Sequence, residues 1–265
     1  MKKSLTVAAG LLVSVVLFSH EFWLQPAKFL LGINQHTDID VLVGEGFKGE
    51  RADGTKHHIA MLQHFSLQGV ADYRSNAGRK DSTRIRARFT TAGNHLIAFN
   101  NTNKSIALQA GEFNDYLREE GLDDILQTRL QNNDTATGGR EVYQRCVKTL
   151  FQVGGKNDTT YKVNTGMRLE LIPTANPYEI KQVDSLGFKV LFDNQPVNNA
   201  LVLVWNVIKG KTSVLKLRSD QNGSIRFAIN KTGRWMISSV KMVPHANRKE
   251  ADWQSYWGSY TFGYY

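Results

Sequence analysis

The last third of the chain alternates between apolar and polar positions in short segments. Residues 186–192 and 224–229 alternate with a period of two, which is typical of strands that bury one face. Residues 200–207 are almost continuously apolar, as expected of a strand buried on both faces. Residues 234–242 and 253–262 complete the series. Strands at this spacing predict an antiparallel β-sandwich of the immunoglobulin-like or transthyretin-like kind.

Turn residues separate these segments. Asn194 and Pro196 follow the first strand, and Lys209-Gly210 is suited to a tight hairpin. The stretch from Asp220 to Gly223 could be misread as a calcium loop. It lacks the further oxygen ligands and the closing Glu of an EF-hand loop, so a turn is predicted there.

The part of the chain before residue 176 combines strands with a helical insert. Strands are predicted at residues 37–44, 59–67, 83–90 and 95–99. Apolar residues at helical spacing between Phe113 and Leu130 predict helical structure that is interrupted at Gly121. Val142, Cys146 and Leu150 also recur at helical spacing, so a second helix with a buried Cys146 is predicted.

The patterns divide the chain into three parts. Residues 1–19 are predicted to be a signal peptide, residues 20–175 an N-terminal β-rich module with the helical insert, and residues 176–265 a C-terminal β-sandwich. The fold class expected is therefore mainly β with a small helical insert, arranged as two β-sandwich modules.

The N-terminus carries an export signal. Lys2 and Lys3 precede an uncharged, mostly apolar run at residues 5–18, and Ser19 is a small residue before the expected cut. The run is shorter than the roughly 20 residues of a membrane span, although an uncleaved anchor is the alternative. No later stretch is apolar enough to span a bilayer, so we expect a periplasmic protein that does not itself cross the membrane.

Charge and motifs exclude several function classes. The net charge is +9, but its positive residues are scattered, and Arg84, Arg86 and Arg88 alternate as on the solvent face of a strand. Without a basic stripe or a recognition motif, no nucleic-acid partner is expected. The chain has no nucleophile elbow, metalloprotease motif, phosphate-binding loop or Cys pair, so it is not predicted to be an enzyme.

His20 is the most specific candidate for a metal ligand. If cleavage follows Ser19, His20 offers both its α-amine and its imidazole to one metal ion. Further His or carboxylate groups would complete the site, and sequence spacing does not select among them. The candidates are His36, His57, His58, His64, His95, His245, Glu21 and Glu45. The alternative is that His20 is a frayed terminus.

Other candidates have plainer interpretations. His57 and His58 lie in a polar stretch that favours an exposed loop, whereas His64 and His95 lie on strands where partnered sheet residues are more common than ligands. The aromatic residues near the C-terminus, from Trp253 to Tyr265, could stack on sugar rings, but core packing of the last strand is the favoured interpretation.

Several segments together resemble a known family. They are residues 20–26, 43–45, 116–122, 139–148, 233–242, 252–257 and 261–262. They are similar to the bacterial periplasmic family of domain of unknown function 4198, over nearly the whole mature chain. That family is often labelled a nickel-uptake family or the periplasmic component of cobalt or nickel ABC transport. His20 matches its usual mature N-terminus, but Lys241 stands where relatives are expected to carry a His, which implies an altered site if that His is a ligand.

The leading hypothesis is a periplasmic binding or accessory protein for nickel or cobalt that serves an ABC-type membrane transporter, with copper as a further candidate ion. The predicted metal ligands are His20, Glu45 and His64. The alternative is a non-enzymatic envelope module that binds a protein or glycan. A third class is an oxidative copper enzyme, which would need a second His opposite the first and an open coordination position.

Overall fold

The computed structural model describes residues 21–53, 58–78, 83–181 and 183–265. Within these ranges the chain forms eighteen strands and two α-helices, which confirms the prediction of a mainly β fold with a small helical insert. The helices are α1 (Ala110–Glu119) and α2 (Asp123–Gln131). The strands are β1 (Glu21–Pro26), β2 (Leu30–Leu31), β3 (His36–Glu45), β4 (Lys48–Arg51), β5 (Ile59–Ser66), β6 (Gly69–Asp72), β7 (Arg84–Arg88), β8 (Gly93–Asn101), β9 (Lys104–Leu108), β10 (Gly139–Val153), β11 (Leu169–Pro173), β12 (Val183–Phe192), β13 (Gln195–Pro196), β14 (Leu201–Ile208), β15 (Lys211–Arg218), β16 (Ser224–Asn230), β17 (Arg234–Pro244) and β18 (Trp253–Gly263).

The strands form a central sheet between two smaller ones. The central sheet has the order β15-β14-β17-β18-β10-β8-β5-β6, with β2 and β9 also paired to β10. The first outer sheet contains β1, β3, β4 and β7, and the second contains β11, β12, β13 and β16. Strands β10 and β18 are parallel, with Cys146 opposite Gly258, and this pairing joins early and late parts of the chain in one sheet.

Both faces of the central sheet are buried at its middle strand β10, whereas the edge strands β15 and β6 are largely exposed. On β10, Cys146 and Leu150 pack in the core shared with the second outer sheet, whereas Val147 and Phe151 pack in the core shared with the first. Successive side chains of a strand point to opposite faces, so an outer sheet covers each face of β10. The result is a three-layer packing of sheets around the longest strand.

The predicted helix around Cys146 is wrong. Residues Gly139–Val153 form a continuous strand, and Cys146 lies on it with 2% of its surface exposed. The prediction that Cys146 is buried is therefore confirmed, although its secondary structure differs.

The predicted boundary between residues 175 and 176 falls between β11 and β12. These two strands pair antiparallel, with Leu171 opposite Val190. The central sheet likewise draws strands from both sides of the boundary. The two predicted segments thus contribute to common sheets, and their division into modules stays a prediction.

The helical insert packs on the central sheet. Helices α1 and α2 are separated at Gly121, as predicted, where φ is +64°. A Cβ at this position would lie 2.6 Å from the Cβ of Leu201, so both the backbone conformation and the space favour glycine. Phe113 and Leu117 of α1 share a buried cluster with Met242 of β17.

Several local predictions are confirmed. Lys209 and Gly210 have φ values of 48° and 78°, as in a tight hairpin turn between β14 and β15. Arg84, Arg86 and Arg88 are exposed on β7. Most of the C-terminal aromatic residues are core residues, with Trp253, Tyr256, Tyr260 and Phe262 buried. No helix in the described parts of the chain combines the length and apolarity needed to cross a bilayer.

Candidate functional site

The first strand begins beside the end of the third. Strands β1 and β3 pair antiparallel with Glu21 opposite Gly44, so Glu21 is offset by one residue from Glu45 at the end of β3. The turn after Glu45 consists of Gly46 and Phe47, whose φ values of 61° and 55° fit a two-residue hairpin between β3 and β4. His20 directly precedes Glu21 in sequence and lies outside the described residues.

Phe47 holds this turn in place. A residue other than glycine at positive φ is strained, and it persists where packing compensates. The Phe47 ring is fully buried and meets Trp23 of β1 edge to face, with their centroids 5.4 Å apart. The aromatic contact therefore fixes the turn that carries Glu45 against the strand that carries Glu21.

Glu21 is a carboxyl group in an unfavourable position for its charge. Burial raises its pKa from the usual 4.5 to about 7. Hydrogen bonds from the backbone N–H of Glu21 itself and of Gly46 oppose this shift, as does the positive charge of Arg145, whereas the nearby charge of Glu45 adds to it. Two carboxylates that repel each other are stabilised when a cation binds between or beside them.

A narrow pocket adjoins Glu21. Its wall includes Glu120 at the end of α1, Trp257 of β18, and Ser238 and Ser239 of β17. Its volume of about 20 Å³ exceeds the roughly 10–15 Å³ that a single water molecule needs. The pocket can therefore hold one small ion or water molecule beside Glu21.

Arg145 supplies the positive charge behind the pocket. Its guanidinium carbon lies 4.6 Å from the ring centroid of Trp257, 5.1 Å from that of Tyr143 and 5.5 Å from that of Phe22. Burial lowers the pKa of Arg145, although nearby acidic groups, including Glu141, oppose this. The stacked aromatic rings fix the guanidinium close to the acidic groups.

Glu141 forms a second buried acidic group near Arg145. Its carboxylate accepts hydrogen bonds from the hydroxyl of Tyr116, at 3.2 Å, and from the hydroxyl of Ser255. The indole N–H of Trp257 donates to the same Ser255 oxygen at 3.0 Å. Burial raises the pKa of Glu141 to about 7 despite these bonds. The network fixes Trp257, one wall of the pocket.

The described part of this site is acidic but does not form a complete metal centre. Among the described residues, no three His, Cys, Asp or Glu side chains converge to hold an ion. Glu21 and Glu45 offer hard oxygen ligands, and nitrogen ligands would have to come from elsewhere in the chain.

His64 lies in a different environment. It is half-buried on β5, and its Nε2 lies 2.8 Å from Nδ1 of His95. Nε2 of His95 in turn lies 3.0 Å from the carbonyl oxygen of Thr91. Burial, followed by the neighbouring His95, lowers the pKa of His64 to about 4. His64 and His95 are thus partnered sheet residues, as the strand pattern indicated.

The structure does not bring His64 and Glu45 together. The ring of Phe89, the residue after β7, stacks on His95 with centroids 4.4 Å apart. Arg88, at the end of β7, pairs with His36 at the start of β3, whereas Glu45 ends that strand. At about 3.3 Å per residue, the two ends of β3 are roughly 30 Å apart.

The remaining candidates are spread over the molecule. His36 and His58 are exposed, and Nδ1 of the half-buried His245 lies 2.9 Å from the carbonyl oxygen of Asn247. His57 lies outside the described residues. Lys241, where relatives were expected to carry a His, forms a 2.9 Å ion pair with Asp124.

Sequence reasoning missed Glu120, Glu141 and Arg145. Glu120 follows α1 and is half-buried beside the pocket. Glu141 and Arg145 both lie in the segment Gly139–Val153 that helped to carry the family resemblance. Two charged residues in a segment with this many apolar neighbours are a signal that could have identified them.

Comparison with curated proteins and with solved structures does not identify a family. Among curated proteins no match is found. Two solved structures of alpha-2-macroglobulin from Escherichia coli, activated by porcine elastase and by trypsin, show 10% and 8% identity with TM-scores of 0.23 and 0.22. The matches cover 92% and 94% of this chain but only 20% and 16% of those chains, so this chain spans a fifth or less of their length. This similarity is too low to support an argument.

The family comparison is more extensive. A family model described as Domain of unknown function (DUF4198) matches residues 17–242, well over half of the sequence. The matched region includes Glu21, Glu45, Glu120, Glu141 and Arg145. The chain therefore belongs to the DUF4198 family.

Proposed function

We propose that this protein is exported to the bacterial periplasm and binds a divalent transition metal for an ABC-type uptake transporter. Nickel and cobalt are the proposed ions, with copper as a further candidate. The α-amine and imidazole of His20 anchor the ion, and the carboxylates of Glu21 and Glu45 assist. His64 is not part of this proposal, because it lies near the opposite end of β3 from Glu45.

The observation that supports this proposal is that Glu21, directly after His20 in sequence, is close enough to Glu45 for their charges to interact. The two carboxyl groups repel each other, and burial makes the charge of Glu21 costly. A bound cation would relieve both effects. The adjoining pocket is large enough for a single ion or water molecule.

Fixed surroundings also favour binding. Phe47 and Trp23 hold the turn next to Glu45, while Trp257 is held through Ser255. A binding site built on strands loses little flexibility when its ligand binds, so more of the interaction energy appears as affinity.

The first experiment is to express the chain with its own leader and determine the mass of the exported protein. We expect a product that begins at His20. A product that begins at another residue would remove the α-amine from the proposed site.

The second experiment is calorimetric titration of the processed protein with Ni²⁺, Co²⁺ and Cu²⁺. We expect Glu21→Gln and Glu45→Gln each to weaken binding of the preferred ion about tenfold or more. Glu50→Gln is the matched control, because Glu50 lies exposed on the adjacent strand β4, and its affinity should be unchanged. Absence of binding at micromolar concentration for all three ions would reject the proposal.

A further inference from the structure

A second cleft lies far from Glu21. It occupies about 250 Å³ between the β5–β6 hairpin and the residues around the end of β7. We call it the aromatic cleft, and its main wall residues are His64, Val70, Tyr73, Arg88, Phe89 and His95. Because Arg88 pairs with His36, the cleft lies near the end of β3 opposite to Glu45. The proposed metal site makes no use of it.

The half-buried rings of His64 and Tyr73 form one wall of the aromatic cleft, and the buried rings of Phe89 and His95 pack against His64. The ring centroid of His64 lies 5.1 Å from that of Phe89, 5.3 Å from that of Tyr73 and 5.0 Å from that of His95. Planar, apolar ligands stack favourably on such surfaces. The exposed Val70 on β6 adds apolar surface at the rim.

The hydrogen bonds determine the state of the two imidazoles. A carbonyl oxygen only accepts, so Nε2 of His95 carries the proton that it donates to Thr91. Nδ1 of a neutral His95 is then the acceptor for the Nε2–H of His64. Burial lowers the pKa of both rings, so both are neutral at pH 7. The wall is therefore uncharged and held in one tautomer.

Arg88 is the charged residue of the aromatic cleft. Its guanidinium donates to the neutral side-chain oxygen of Asn34 at 3.2 Å. No carboxylate of a described residue lies within 4 Å of the Arg88 side-chain nitrogens, whereas Arg84 and Arg86 on the same strand pair with Asp40 and Asp38 at 3.0 and 3.9 Å. Arg88 thus brings positive charge to the rim of an otherwise neutral cleft.

The geometry points to a binding site for a small aromatic carboxylate in this cleft. The ring of the ligand stacks on the wall formed by His64 and Tyr73, and its carboxylate pairs with the guanidinium of Arg88. Guanidinium and carboxylate groups match in planar geometry and form strong charge-assisted hydrogen bonds. The volume of about 250 Å³ lies just below the range usual for drug-sized ligands, which suits a single substituted ring.

The test uses benzoate as the probe and the neutral isostere benzamide as its matched control. Both are titrated into the full processed chain, with EDTA present, and amide chemical shifts are followed by NMR. We expect saturable shifts at Val70 and Tyr73 with benzoate, and at least about tenfold weaker binding of benzamide because it lacks the charge.

Two variants examine the role of Arg88. Arg88→Gln should weaken benzoate binding at least about tenfold, whereas Arg86→Gln, on the same exposed face of β7, should leave it unchanged. Equal losses in both variants would show only general attraction to positive charge and would overturn the proposal. Equal affinity for benzoate and benzamide, or shifts that do not saturate, would overturn it even if Arg88→Gln failed to fold. EDTA separates this result from the metal-binding proposal.

Discussion

Glu21 of β1 lies opposite Gly44 of β3, the residue before Glu45, and the charge of Glu45 helps to raise the pKa of Glu21. The start of β1 and the end of β3 therefore each contribute one acidic residue to this region. A narrow pocket adjoins Glu21, and the guanidinium of Arg145 acts on its charge. The arrangement predicts how stability responds to pH as well as how the protein binds metal.

Deprotonation of Glu21 should destabilise the folded protein as the pH rises. Its pKa is about 7 in the folded state and near 4.5 when unfolded, so the folded state holds the proton more tightly. The resulting stabilisation is fully present below pH 4.5 and is lost as pH rises through 7. We expect Glu21→Gln to reduce the loss of unfolding free energy between pH 5 and pH 8 by roughly 1–2 kcal/mol, since partial exposure reduces the full effect.

Urea unfolding at the two pH values, without added metal, measures this effect. Glu50→Gln on the exposed strand β4 is the control and should follow the parent protein. An identical pH dependence in the parent protein and Glu21→Gln would contradict the environment assigned to Glu21.

His64 should act in the opposite direction. Burial lowers its pKa from 6.5 to about 4, so the unfolded state binds the proton more readily. The stability contributed by neutral His64 is present above pH 6.5 and is lost as pH falls through 4. His64→Phe should reduce the loss of unfolding free energy between pH 7 and pH 4.5 by roughly 1–3 kcal/mol. His36→Phe, at the exposed start of β3, is the control and should lose as much unfolding free energy over this pH range as the parent protein. If His64→Phe also loses as much as the parent protein, His64 is not a buried neutral residue.

The buried ion pair of Lys148 and Glu170 should be costly to break. Both side chains are 1% exposed, and the second carboxylate oxygen of Glu170 accepts from the backbone N–H groups of Thr165 and Met167. Lys148→Met should cost about 3–5 kcal/mol because it leaves a buried charge without its partner. Replacing Glu170 with Leu as well should recover much of the loss.

Urea unfolding of the single and double variants tests this coupling. As a control, Asp115→Asn breaks the surface ion pair of Asp115 and Arg118, whose side chains are 70% and 58% exposed, respectively. This change should lower the free energy of unfolding by less than about 1 kcal/mol. Strictly additive costs at Lys148 and Glu170 would show that the two charges do not depend on each other.

Cys146 should be unreactive in the folded protein. It is 2% exposed, its sulfur accepts from Asn100 at 3.4 Å, and burial raises its pKa to about 12. Because the thiolate is the reactive form, Ellman's reagent at pH 8 should label Cys146 only after unfolding in urea. Complete labelling of the native protein within minutes would be inconsistent with its position in the core.

The fold illustrates what local patterns can and cannot predict. The hairpin at Lys209-Gly210 and the break at Gly121 were predicted because each depends on local backbone conformation. The segment around Cys146 was misassigned because Val142, Cys146 and Leu150 are spaced by four residues. That spacing fits one face of a helix, but it is also even, so it fits one face of a strand equally well. The parallel partner β18, more than a hundred residues away, decides between them.

The candidate site depends even more on long-range pairing. Glu21 and Glu45 were among the candidates that sequence chemistry suggested, yet only the pairing of β1 with β3 brings their charges within range of each other. The same topology separates Glu45 from His64, which sequence spacing could not show. Arg145 is not among the candidates from sequence, because its role depends on long-range contacts with Phe22 and Trp257.

The most direct test is a nickel titration of two forms of the protein, one beginning at His20 and one carrying two additional residues, Ala-Gly, before it. The extension keeps every side chain but moves the α-amine away from the imidazole of His20. We predict that the first form binds Ni²⁺ and the second loses most of that affinity. Equal binding by both forms, or binding by neither, would contradict the proposed metal site.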